Sequence, residues 1–110
     1  MNRPCDTLKG YTEARFLTEV VQAATLLGWR VYHTHDSRRS DPGFPDLCMT
    51  NGRMVLFAEL KTQRGRASRE QQRWLSDLQR VASIDGSRVR AYLWRPADWD
   101  DLLAVLKRGG

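Results

Sequence analysis

Residues 43–61 read GFPDLCMTNGRMVLFAELK, and the fold turns on how this stretch is parsed. Its middle, Asn51-Gly52, is the strongest short signal for a two-residue type I′ turn between antiparallel strands. Residues 46–50 then form one strand, and residues 53–61, with MVLFAEL at their heart, form its return. A two-residue turn sets the register: Thr50 faces Arg53, Met49 faces Met54 and Asp46 faces Phe57. Asp46, Cys48, Val55, Phe57, Glu59 and Lys61 share one face of the resulting sheet. Asp46 and Glu59 become diagonal neighbours, with Cα atoms roughly 7–8 Å apart.

Two carboxylates so placed can reach inward and share one divalent cation. Glu59 and Lys61 are two residues apart and point the same way, which sets an ammonium beside that site. Charges at the end of so apolar a strand are costly unless paired or metal-bound. A hard, oxygen-ligated ion such as Mg²⁺ suits the set better than zinc, because no histidine or thiol shares the face in a ligand pattern. Each residue alone has a plainer reading, a solvated Glu-Lys at a strand end and an aspartate opening a strand. The joint pattern of Asp46, a hairpin, and Glu59 with Lys61 favours the chemical one.

Working outward, residues 1–11 lack periodicity and read as a flexible lead-in to a single domain over 12–110. Thr12 is placed as an N-cap, followed by Phe16, Leu17, Val20, Val21, Ala24 and Leu27 at helical spacing, with Gly28 as the stop. Residues 30–34 alternate as a strand, and residues 35–45 are turn formers and charges. After the hairpin, residues 62–67 are a polar, basic loop. Ser68 and Gln71 form a capping box that opens a second helix carrying Trp74, Leu75, Leu78, Val81 and Ala82. Residues 88–94 are a fourth strand. Residues 96–98 start a last helix with Trp99, Leu102, Leu103 and Leu106 on one face. The order is αβββαβα, an α/β domain with a mixed central sheet flanked by helices. Core packing is the reading for Trp29, Trp74, Trp94 and Trp99.

The first helix offers two acids. Glu13 lies near the centre of the inward stripe, whereas Glu19 falls about 120° away, toward solvent. Glu13 is therefore the candidate third acid, its plainer role being to complement the helix N-terminus. The assignment between Glu13 and Glu19 stays open at this stage. Gln71 shares a face with Trp74 and Leu78, yet its amide is equally wanted by the capping box. His33 and His35 share a face at the end of the first strand, where a zinc pair lacks further ligands. A contact by His35 at the rim of the site is the better reading. Arg38 and Arg39 precede the hairpin, and Arg64 and Arg66 follow it. All four flank the strand ends opposite the Asn-Gly turn, where they are expected to grip phosphates.

The chain has 110 residues, 18 Lys or Arg against 13 Asp or Glu, and a net charge of +5. Its lysines are Lys9, Lys61 and Lys107, so the remaining cations are arginines, which pair two-pronged with phosphate oxygens. That bias suits a polyanionic partner. A lysine at position 61, in a chain that otherwise chooses arginine, supplies a compact ammonium with a tunable pKa. No stretch is apolar enough for a membrane span, and the N-terminus has no signal-peptide core. Cys5 and Cys48 lack metal-ligand spacing and read as free thiols, Cys48 as a small core residue. An intracellular location is expected.

GFPD at 43–46 and ELK at 59–61 resemble the signature of the PD-(D/E)XK nucleases. More narrowly, residues 12–107 resemble the VRR-NUC family in its stand-alone phage and bacterial form. The matching segments are 12–13, 27–29, 33–39, 43–47, 57–61, 68–74 and 94–96, with no departure at the core positions. The resemblance implies a restriction-endonuclease-like core in which Asp46 and Glu59 ligate the metal, with the Leu60 carbonyl as a further ligand. It also places an acidic ligand at Glu13 and a glutamine, Gln71, near the catalytic lysine or the scissile phosphate. Lys61 would position or activate the attacking water and stabilise charge at the phosphate. The implied cofactor is Mg²⁺, with Mn²⁺ expected to substitute and no organic cofactor. The implied reaction is in-line hydrolysis of a DNA phosphodiester, leaving a 5′-phosphate and a 3′-hydroxyl. Stand-alone relatives are homodimers that resolve Holliday-type junctions, so branched DNA, a homodimer and the cytoplasm of a bacterial or phage-infected cell are the expectations. The alternatives are a nuclease that prefers flaps, nicks or specific duplex sites, and a non-catalytic DNA-binding module on the same fold.

Overall fold

A computed structural model describes residues 11–34 and 41–110. The elements follow the expected order: α1 (Glu13–Leu26), β1 (Arg30–His33), β2 (Leu47–Thr50), β3 (Val55–Leu60), α2 (Arg69–Ala82), β4 (Val89–Trp94) and α3 (Trp99–Arg108). A short 3-10 turn, Pro96–Asp98, leads into α3. The four strands form one sheet in the order β1-β2-β3-β4. The first three are antiparallel and β4 runs parallel to β3, so α2 is the crossover that parallel pairing demands.

Local chemistry explains the helix ends. Thr12 Oγ1 accepts the Arg15 N–H at 3.0 Å and caps α1. The helix ends before Gly28, whose φ of 93° lies in the left-handed region that a side chain would disfavour. At α2, Ser68 Oγ accepts the Gln71 N–H at 3.1 Å, and Gln71 Oε1 accepts the Ser68 N–H at 2.7 Å. The expected capping box is therefore complete.

The core lies between the sheet and the α1–α3 layer. Leu47, Met49, Leu56, Ala58 and Leu60 alternate onto one face and are buried with Phe16, Val20 and Ala24 of α1 and Leu102, Val105 and Leu106 of α3. Trp29 joins them, and its Nε1 donates to the Leu106 carbonyl at 3.1 Å. On the opposite face Phe44 meets both Phe57 and Trp74 edge-on, with ring centres 5.9 and 5.1 Å apart. Trp74 nevertheless stays 39% exposed and α2 buries no residue completely, so this tryptophan caps the edge of a layer instead of filling a core.

Two expectations need correction. The hairpin pairs Thr50 with Val55, Met49 with Leu56, Cys48 with Phe57 and Leu47 with Ala58. The turn therefore spans four residues, and the register slips by two. The cause is the Asn51 side chain, whose Oδ1 accepts the N–H groups of Arg53 and Met54, both at 2.9 Å. This Asx arrangement replaces the type I′ turn, which needs positive φ at Asn51; no non-glycine described residue has it. Because side chains alternate with a period of two, a slip of two leaves each on its expected face. The second correction concerns Tyr11, counted above with the lead-in. It is 9% exposed, packs edge-on against Phe16 and lies under the Arg15 guanidinium, because its ring closes the start of the α1 stripe.

Candidate active site

The approach to Asp46 is built by close packing. Gly43 has φ of 91°, and a Cβ there would lie 2.5 Å from the Glu70 carbonyl carbon. Only glycine lets this loop press against the first turn of α2. Phe44 then wedges between Phe57 and Trp74, and Pro45 is fully buried. Asp46 emerges half-buried one residue before β2. Its main-chain oxygen accepts the Thr34 N–H at 3.0 Å, and its Oδ2 accepts the Leu60 N–H at 2.8 Å. The aspartate is thereby tied to both neighbouring strands.

Continuing the β2–β3 pairing by one step sets Asp46 directly opposite Glu59. The corrected register thus brings the two acids closer than the diagonal placement read from the sequence. Glu59 is only 2% exposed, and among the described residues neither of its carboxylate oxygens has a hydrogen-bond partner. Burial first, and then the adjacent Asp46 carboxyl, push its pKa up from 4.5 to about 9, with Glu13 acting in the same direction and Lys61 against it. Two facing carboxyls repel each other when both are ionised, which favours keeping the proton on the more buried one. At neutral pH, without a cation, Glu59 is held as the neutral acid.

Glu13, Ala14, Leu17, Asp46 and Leu60 line a pocket of about 230 Å³ beside these acids. Of the two acids on α1, Glu13 is the one that reaches it. Glu13 is exposed at the mouth instead of facing the core, because it sits in the first turn, beyond the end of the buried stripe. Glu19 lies 3.9 Å from the Arg15 guanidinium. It is less exposed than the helical wheel implies, with a side-chain accessibility of 24%. Lys61 is half-buried one residue past β3, and its N–H donates to the Trp94 carbonyl at 3.0 Å. The amide oxygen of Gln71 is engaged in the α2 cap. Arg64 and Arg66 are exposed in the loop after Lys61, at the same end of the sheet as Asp46. His35, Arg38 and Arg39 lie outside the described residues.

Among the described residues no three acidic, histidine or cysteine side chains gather into a ready-made ion cage. The donors on offer are the facing Asp46 and Glu59, with Glu13 and Leu60 lining the adjacent pocket. That set still fits a hard cation, since Mg²⁺ is commonly held by one or two carboxylates plus waters and substrate phosphate oxygens. A buried acid whose two oxygens lack donors is also the group a cation would satisfy. Two residues inside the matching segments 43–47 and 94–96 have roles that the sequence reading did not assign. Gly43 is needed for its close approach to Glu70, and Arg95 bonds to the loop after Lys61. Neither signal is local, so no spacing rule could have found them.

The model of the VRR-NUC domain family matches residues 7–93 of the chain. Two solved structures share its fold. One is Hjc, a Holliday junction resolvase from the archaeal hyperthermophile Archaeoglobus fulgidus, at 22% identity and a TM-score of 0.51. That likeness covers 74% of this chain and 67% of the other. The second, described as a VRR_NUC domain, is 20% identical with a TM-score of 0.59, covering 86% of this chain and 94% of the other. No curated protein matches. Likenesses at such identities speak for the fold, and the family match, which spans most of the chain, speaks for descent. The chain belongs to the VRR-NUC domain family, nucleases of the PD-(D/E)XK superfamily with a restriction-endonuclease-like fold.

Proposed function

We propose that the chain is a Mg²⁺-dependent, structure-selective DNA endonuclease that cuts four-way junctions as a homodimer. The observation that carries the metal-dependent reading is Glu59, sealed from solvent without a donor and set against Asp46. Keeping such an acid costs stability, which makes sense where a divalent ion replaces its proton. Asp46 and Glu59 would hold that ion, with Glu13 and the Leu60 carbonyl completing its protein ligands. When bound, the ion supplies Lewis acidity at the phosphate and eases deprotonation of the attacking water.

The residues around it supply the rest. Asp46, anchored through the Leu60 N–H, is held in one orientation. Lys61 brings a positive charge to where negative charge grows on the phosphoryl oxygens during in-line attack. Arg64 and Arg66 stand exposed beyond it and would hold flanking phosphates, the more so because guanidinium groups pair two-pronged with them. Gln71 contributes by fixing the start of α2 against the Gly43 loop.

The described residues offer one such centre, whereas a symmetric cut across a junction needs two. A two-fold dimer supplies them. Support for this substrate comes from the shared fold with a protein described as a Holliday junction resolvase. The test is cleavage of a synthetic four-way junction, alongside a flap, a nicked duplex and a linear duplex, in Mg²⁺ and in EDTA. The junction should be cut fastest, only with metal, and Asp46→Ala should lower the rate at least ~100-fold. Preferential cutting of flaps or nicks would move the substrate assignment while keeping the enzyme. No cleavage of any substrate, or equal cleavage by Asp46→Ala, would overturn the catalytic reading in favour of a DNA-binding module.

A further inference from the structure

Arg95 follows the last residue of β4, with its guanidinium turned back across the sheet end. Its Nη1 donates to the Thr62 carbonyl at 2.8 Å and also to the Gly65 carbonyl. The Gly65 N–H bonds to the same Thr62 carbonyl at 3.2 Å, closing the loop on itself. The bracket is reciprocal. Gln63 Oε1 accepts the Ala97 N–H at 3.1 Å, and Asp98 Oδ2 accepts the Arg95 N–H at 2.8 Å. The Lys61 N–H, one residue before the loop, is bonded to Trp94, one residue before Arg95. Beyond these ties, the basic loop is fastened by a charged donor to two of its own carbonyls. Arg64 lies between the two fastened carbonyls, and Arg66 follows the second.

We infer that Arg95 is a positioning residue: it holds the 62–66 loop in the shape that aims Arg64 and Arg66 at the DNA phosphates, without touching DNA itself. The chemistry favours arginine. A single guanidinium nitrogen carries two N–H groups and bonds two carbonyls at once, and a charged donor makes stronger bonds than a neutral one. The geometry also explains how a cation can sit against a loop that carries two others. Its charge is directed at carbonyl oxygens, which leaves the exposed pair to face a polyanion. A loop held in its binding shape loses less entropy when it meets a ligand than a free one. The inference rests on the reading of Arg64 and Arg66 as phosphate contacts made under Proposed function.

The test is a mutant cycle on binding of a fluorescent four-way junction in EDTA, read over a range of salt. The Arg64→Ala/Arg66→Ala double variant should bind more weakly, with a shallower salt slope by roughly 1–2 in log–log units. Arg95→Met should weaken binding about 3–10-fold in the wild-type background and hardly at all in the double variant, since removing the aim matters only while there is something to aim. Arg95→Lys should restore part of the loss. In cleavage assays with Mg²⁺ the Arg95→Met defect should fall mainly on KM and little on kcat. Trypsin should cut after Arg64 and Arg66 faster in Arg95→Met than in wild type, a readout that needs no DNA. If the Arg95→Met defect is equally large in the double variant, Arg95 acts directly and the inference is wrong. If the double variant binds as tightly as wild type, the loop is no DNA contact, and the phosphate-grip reading fails together with the inference. If the double variant is weak but Arg95→Met binds normally, the inference alone fails.

Discussion

The two ends of the β2–β3 hairpin are opposites. At the turn, the polar groups answer one another. Asn51 Oδ1 takes two main-chain N–H groups, Asn51 Nδ2 donates to the Gly109 carbonyl at 3.2 Å, and Thr50 Oγ1 donates to the Met54 carbonyl at 2.7 Å. At the other end Asp46 finds a partner in Leu60, but Glu59 is buried with both oxygens unmatched. Neighbouring strands lie about 4.8 Å apart along a ladder; what differs between the two ends is whether the donors are present. One end is built for stability, and the other keeps an electrostatic deficit that a cation and a phosphate would relieve.

The contrast can be broken most sharply at Lys61. Lys61→Met should lower the cleavage rate by about 10²–10³-fold, the usual loss when one positioned charge is withdrawn from a developing anion. Its melting temperature should hardly change, because the side chain is only half-buried. Single-turnover cleavage beside a thermal melt checks both halves. An unchanged rate would detach Lys61 from the chemistry.

The reverse experiment is Asn51→Ala. It removes two acceptor bonds and the tie to Gly109, and should cost about 2–3 kcal/mol, read as a fall of roughly 10 °C or more in the melting midpoint. Cleavage per folded molecule should stay at the wild-type rate below that midpoint. A loss of activity without a loss of stability would show that the two ends are not separate.

The smallest effect concerns pH. Glu59 is raised from 4.5 to about 9 in the folded chain, so folding favours its protonated form. In the metal-free protein that contribution is complete below the unfolded value near 4.5. It fades as pH climbs toward 9, because the unfolded chain gives up the proton that the folded chain keeps. Glu59→Gln should therefore be the more stable protein at alkaline pH by a few degrees, with a flatter pH profile in EDTA. Equal slopes for the two would mean that Glu59 is not the titrating group.

Much of this asymmetry was legible in the sequence. Alternation in MVLFAEL assigned Glu59 and Lys61 to one face, and a slip of two in register could not undo that assignment. Helix caps were legible because they involve residues three apart, as at Ser68 and Gln71. The turn itself was misread because a dipeptide rule ignores the competing hydrogen bonds of the Asn51 side chain, which the C-terminus of α3 then locks in place. Glu13 was placed on the right helix, but its exposure depended on where the buried stripe begins, which Tyr11 and Phe16 decide. The role of Arg95, which lies in the matching segment 94–96, was hidden for a plainer reason. Its partners are main-chain carbonyls 33 and 30 residues away, and a carbonyl has no signature in a sequence.

Calorimetric titration of the wild-type chain and Glu59→Gln with Mn²⁺ at pH 7, run in buffers of different ionisation enthalpy, asks the central question directly. Binding by the wild type should release roughly one proton per ion, because the cation displaces the proton that buried Glu59 holds, and no such release should come from Glu59→Gln. Binding without proton release, or identical heats for the two proteins, would contradict that reading of Glu59.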